Sequence, residues 1–150
     1  MNSIKFFSAI LKIKGSCDLT ISGDSMYPML KNGQAVTVTT KEKYLPGDIL
    51  IYEYKNDGLL AHRLLKIVSG RYFCKGDNSF RIEDITYDQI LGKIEIENDS
   101  NISNEFLDFS YEIGKLFKKC GYDHNIIKED QRYKEYRMTY LGEINDENRS

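Results

Sequence analysis

QAVTVTT, residues 34–40, decides the fold class. Val and Thr are β-branched and lose side-chain freedom in a helix, and here apolar and polar positions alternate with a period of two. Residues 48–54, DILIYEY, repeat the signal with aliphatic and aromatic side chains suited to a half-buried strand. Working outward, further strand-like runs cover residues 18–22, 60–68, 71–75 and 90–97. Both prolines, Pro28 and Pro46, and most of the glycines punctuate this region. NSFRIEDITYDQ, residues 78–89, is polar and reads as a loop. Short strands separated by turns predict a mainly β body over residues 15–97.

The flanks differ. MNSIKFFSAILKIKG at the start reads as a short cationic amphipathic helix, interrupted by Lys5, Lys12 and Lys14. It either packs on the core or touches a membrane surface peripherally. It is too short to span a bilayer, and no small-residue cleavage site follows it. Beyond residue 97, Ile102, Phe106, Phe109, Ile113, Leu116, Phe117 and Cys120 fall at helical spacing. Ser103 or Asn104 caps this helix, and Gly121 ends it. A second helix is expected over residues 129–140, His124 on the loop between them, and fraying over 143–150. The predicted organisation is a β domain with its N-terminal helix over residues 1–97 and a helical extension over 98–150.

A chain of 150 residues with 41% hydrophobic and 29% charged residues is a globular protein. The net charge of −2, with scattered Lys and Arg, argues against a nucleic-acid partner. Three separated cysteines suggest neither a disulfide framework nor a metal knuckle, and fit a reducing, cytoplasmic setting. No metal and no cofactor is expected.

The chemistry-bearing residues lie in order within the β body. GDSMYPML, residues 23–30, is either a turn before a helix or a nucleophile, Ser25, held at the start of an apolar segment. A serine needs a base within hydrogen-bond reach. Of the two histidines, His62 sits in LLAHRLLKI, amid apolar residues of a predicted strand. KGDN, residues 75–78, closes the strand RYFCK. Each taken alone has an ordinary structural reading: a turn, a packed histidine, a strand-end turn.

Together, SMYP at 25–28, PGDI at 46–49, His62-Arg63 and KGDN at 75–78 resemble the signal peptidase I superfamily, which includes the LexA-type repressor autoproteases. The Gly-Asp before Ser25 is similar to the LexA-type branch. His62-Arg63 is similar to the endoplasmic-reticulum and archaeal signal peptidases, which carry histidine where bacterial ones carry lysine. The resemblance spans residues 22–92 and implies that superfamily's complex β-fold.

It also implies site roles. Ser25 would be the nucleophile, its backbone N–H an oxyanion donor, and His62 the general base and acid. Asp77 is the favoured acid to orient His62; Glu83 and Asp84 are the alternatives. Arg63 cannot be the base, because arginine keeps its proton. Gly23 stands where many relatives carry a serine hydroxyl, which leaves the backbone donor alone or with help from Ser22. Met26 reads as a packing residue that fixes the turn.

Neither the membrane anchor of signal peptidases nor the DNA-binding domain of LexA-type proteins is seen before Ser25. The expectation is a soluble bacterial serine endopeptidase acting in trans on a peptide or precursor protein, such as a leader- or signal-like segment, with small residues on the acyl side of the cut. The alternatives are a catalytically silent peptide-binding module of the same fold and, more remotely, a LexA-type regulator.

Overall fold

The computed structural model describes residues 3–55, 58–96 and 102–142. Seven antiparallel strands form one sheet in the order β1-β2-β7-β3-β4-β5-β6. They are β1 (Ser16–Thr20), β2 (Ala35–Thr39), β3 (Ile49–Glu53), β4 (Leu59–Val68), β5 (Arg71–Lys75), β6 (Glu83–Ile85) and β7 (Ile90–Glu95). Helix α1 (Ser3–Lys14) precedes them; α2 (Asn104–Lys119), α3 (His124–Lys128) and α4 (Gln131–Tyr136) follow. A mainly β fold with a leading helix and a helical C-terminal part is the class expected. The boundary expected at residues 97 and 98, and the fraying expected over 143–150, lie outside the described residues.

Alternation along the central strands sorts the core. Ile49 and Ile51 face one cluster with Phe7, Leu11, Met26, Leu30 and Val38. Leu50 and Tyr52, from the other face of β3, pack with Leu64, Cys74 and Ile85. A bulge in β4, where the pairing with β5 skips Leu65, turns that residue toward the helices. There it joins Phe106, Ile113, Phe117, Ile127, Tyr133 and Tyr136. The Ser103 hydroxyl caps α2 by accepting from Phe106 N–H, a contact of about 1 kcal/mol.

Three elements depart from the expectations. Strand β6 lies inside the stretch read as loop, because three residues are too few to alternate visibly among polar neighbours. Glu83 and Ile85 point inward, and pairing with Cys74 and Tyr72 of β5 holds them there. His124 opens α3 rather than lying on a loop, since the Asp123 side chain accepts from two backbone N–H groups at its start. The second expected helix is α-helical only over Gln131–Tyr136 and continues as a π-helical turn, Arg137–Leu141. Among the described residues, no helix is long and apolar enough to cross a membrane.

Candidate active site

Ser25 lies in a turn, not at a helix start. Leu30 N–H bonds to Met26 O and Tyr27 N–H to Asp24 O, closing the turn. The Tyr27–Pro28 peptide is cis. Met26 is 2% exposed, so the methionine at the centre of the motif is a core residue. Its Sδ accepts a hydrogen bond from Asp77 N–H at 3.4 Å. Asn78 N–H bonds to Ser25 O at 2.8 Å, and Asn78 Nδ2 to Asp24 O at 3.0 Å. Three bonds therefore fasten the 23–30 turn to the 75–78 turn.

His62 is carried by β4 beside Leu50 of β3, and is 7% exposed. Ser25, His62 and Glu83 line one cavity of about 420 Å³, together with Phe80, Phe117 and His124. Within it the Ser25 hydroxyl has no hydrogen-bond partner, and the Ser25 N–H no acceptor, among the described residues. A larger cavity, about 680 Å³, runs along β2 past Asp18 and Val36 and contains neither Ser25 nor His62.

The acid facing His62 is Glu83. Its Oε1 is 2.5 Å from His62 Nδ1 and accepts from the Tyr52 hydroxyl at 2.6 Å. The Tyr52 oxygen is itself 3.2 Å from His62 Nδ1. An ionised carboxylate can only accept, so the geometry puts a proton on Nδ1; in the neutral imidazole Nε2 is then the nitrogen with the free lone pair. Burial, then the adjacent Glu83 charge, pushes the Tyr52 phenol well above its ordinary range, so it serves as a donor.

Asp77, the favoured orienting acid, is elsewhere. Its carboxylate takes a bidentate bond from Arg63, Nε at 3.1 Å and Nη2 at 2.7 Å. Arg63, the residue after His62, projects to the opposite side of β4 and also donates to Gly47 O at 2.9 Å. Both partners are nearly fully buried, so neither charge is free to turn to the histidine. Asp84 points outward and pairs with Arg71 at 2.7 Å. Strand alternation separates Glu83 from Asp84: one faces in, the next out.

The sequence implies no role for Tyr52 on β3 or for Lys75, the last residue of β5. Lys75 is 0% exposed, and burial lowers its pKa to about 8. Its ammonium donates to Gly76 O at 3.0 Å and Ser110 Oγ at 2.9 Å. Gly76 itself has no room for a side chain: a Cβ would lie 2.6 Å from Ser25 O and 3.2 Å from His62 Cδ2. Among the described residues no three His, Cys, Asp or Glu side chains converge as metal ligands.

In comparisons with known proteins, the model of a family described as Peptidase S24-like matches residues 5–97, more than half of the chain. No curated protein matches.

Proposed function

The chain belongs to the Peptidase S24-like family, a family of serine peptidases and LexA-type regulators, and on that premise we propose that it is a serine endopeptidase cutting a peptide or precursor protein in trans. The observation that carries the reading is a single cavity holding Ser25 and His62, with His62 backed by Glu83 at 2.5 Å.

The chemistry follows from those groups. His62 Nε2 takes the Ser25 hydroxyl proton as Oγ attacks the scissile carbonyl carbon. The imidazolium so formed is balanced by Glu83, which Tyr52 holds in place. The Ser25 N–H, lacking another acceptor, is available to the developing oxyanion. Collapse of the tetrahedral intermediate breaks the C–N bond, and His62 protonates the leaving amine. Water, deprotonated by His62, then releases the acyl group and restores Ser25.

An extended segment such as a leader would lie beside the cavity as an added strand, its backbone bonds giving affinity. Small residues on the acyl side of the cut are the specificity that the superfamily resemblance implies.

Ser25→Ala and His62→Ala should each abolish cleavage of a peptide library while circular dichroism stays unchanged. Products released equally by both variants and the parent would end the reading. The missing hydrogen bond between Ser25 and His62 favours one other reading, a peptide-binding module without turnover. Wild-type protein that retains library peptides but releases no product supports that alternative.

A further inference from the structure

The family match ends at residue 97, yet the turn facing Ser25 is held from beyond it. Residues 75–78 have their polar groups aimed in two directions. Toward the nucleophile, Asp77 N–H meets Met26 Sδ and Asn78 N–H meets Ser25 O. Away from it, Asp77 O accepts from the Tyr136 hydroxyl at 2.7 Å. The Lys75 ammonium bridges Gly76 O and Ser110 Oγ, at 3.0 and 2.9 Å. Tyr136 is on α4 and Ser110 on α2.

These contacts are buried. Lys75 and Ser110 are 0% exposed and Tyr136 is 1% exposed. The Tyr136 ring also presents its face to Lys75 Nζ at 4.9 Å, a cation–π contact strengthened by burial. Between the helices and the nucleophile there is little slack, because Gly76 packs without a Cβ against both Ser25 O and the His62 ring. The turn is also tied to the nucleophile's segment by the bonds from Asp77 N–H to Met26 Sδ and from Asn78 to Ser25 O and Asp24 O, so a displacement of the turn is passed to the Ser25 backbone.

We propose that Tyr136 and Ser110 are positioning residues of the site: the helical unit holds the 75–78 turn and, through it, sets the Ser25 backbone against His62. The proposal takes Ser25 and His62 as the reacting pair, but its test does not depend on turnover.

The test compares the full-length protein with Tyr136→Phe, which keeps the ring and loses the hydroxyl, and with Ser110→Ala. Tyr133→Phe, an equivalent change on the same helix that leaves the turn untouched, is the control. Amide hydrogen exchange at Asn78 should quicken about five- to tenfold in Tyr136→Phe and Ser110→Ala, the factor expected for one ordinary hydrogen bond. Amides of β3 and β4 should keep their protection, and the control should match the parent. Phosphonylation of Ser25 by a fluorophosphonate probe should show a maximal rate about tenfold lower with an unchanged half-saturating concentration. Unchanged exchange at Asn78 in both variants overturns the proposal. A wild-type protein that the probe does not label defeats the peptidase reading alone, while exchange at Asn78 still decides whether the helices hold the turn.

Discussion

Glu83 Oε1 lies 2.5 Å from Nδ1 of His62, on β6, two strands away in the sheet from the β4 strand that carries the histidine. With Glu83 and His62 both buried, their interaction is shielded from solvent and salt. In the proposed mechanism, positive charge formed on the imidazole would therefore meet a counter-charge already in place. Reorganisation at that step would be small, which is how preorganised sites lower barriers.

Glu83→Gln keeps the shape and removes the charge. Turnover of a cleaved peptide should fall by roughly 10³–10⁴-fold with little change in KM, the usual loss when an orienting acid is neutralised. Steady-state kinetics on the purified variant decides it. A loss below tenfold would mean that Glu83 does not support His62.

Asp77→Ala should act on stability first. It leaves the Arg63 guanidinium, 2% exposed, without its bidentate partner. Breaking a buried pair from one side costs about 3–5 kcal/mol. Urea unfolding of Asp77→Ala beside Glu83→Gln should show the larger midpoint drop for Asp77. Equal midpoints would contradict the separate assignments of the two acids.

Gly76→Ala forces a Cβ to within 2.6 Å of the Ser25 carbonyl, a backbone atom that cannot swing aside. Overpacking of this kind costs about 1–3 kcal/mol. Activity should fall further than stability implies, since the groups that the Cβ meets are the backbone of the proposed nucleophile, Ser25, and the ring of the proposed base, His62. Assays well below the melting temperature separate the two effects.

Lys75 makes stability depend on pH with a definite sign. Its folded pKa, about 8, lies below the ordinary 10.5. Between those values the unfolded chain keeps a proton that the folded chain has released, so this group's contribution to stability rises with pH and its burial cost is greatest below pH 8. Buried Cys74, Tyr52 and Tyr136, with raised pKa values, push the other way, because the unfolded chain loses those protons first. Comparison with Lys75→Met cancels the opposing groups. Wild-type protein should gain about 2–3 kcal/mol on the variant between pH 7 and 10.5. Parallel unfolding curves across that range would show that Lys75 is not so perturbed.

Tyr52→Phe tests the support behind the acid. One buried hydrogen bond to Glu83 is lost, a cost of about 1 kcal/mol, with no group added. Turnover should drop by about tenfold, less than in Glu83→Gln. A larger loss than Glu83→Gln would give the phenol a direct part in the reaction.

Much of this arrangement is local and therefore readable in one dimension. Alternation in residues 34–40 and 48–54 specifies strands whatever surrounds them, and α2 declares itself by apolar spacing and a Ser103 cap. Ser25 and His62 each had an ordinary structural reading alone, and stood out only through the order of SMYP, PGDI, His62-Arg63 and KGDN and the resemblance those motifs carry. The choice among Asp77, Glu83 and Asp84 was not local. All three follow β5 within ten residues, and composition cannot rank them. The buried pattern of Glu83 and Ile85 around exposed Asp84 was the one available signal, too short to stand out.

The amino-acid order by itself determined six of the seven strands, the turn residues and the ordered motifs that carry Ser25 and His62, because propensity, period and motif spacing are all legible along the chain. Tertiary structure alone decided which carboxylate meets His62 and what braces the 75–78 turn. Those outcomes depend on the antiparallel register of β6 against β5 and on helices more than thirty residues downstream packing Ser110 and Tyr136 against that turn. A buried charge takes whichever partner the packing brings within reach, and no local rule contains that information.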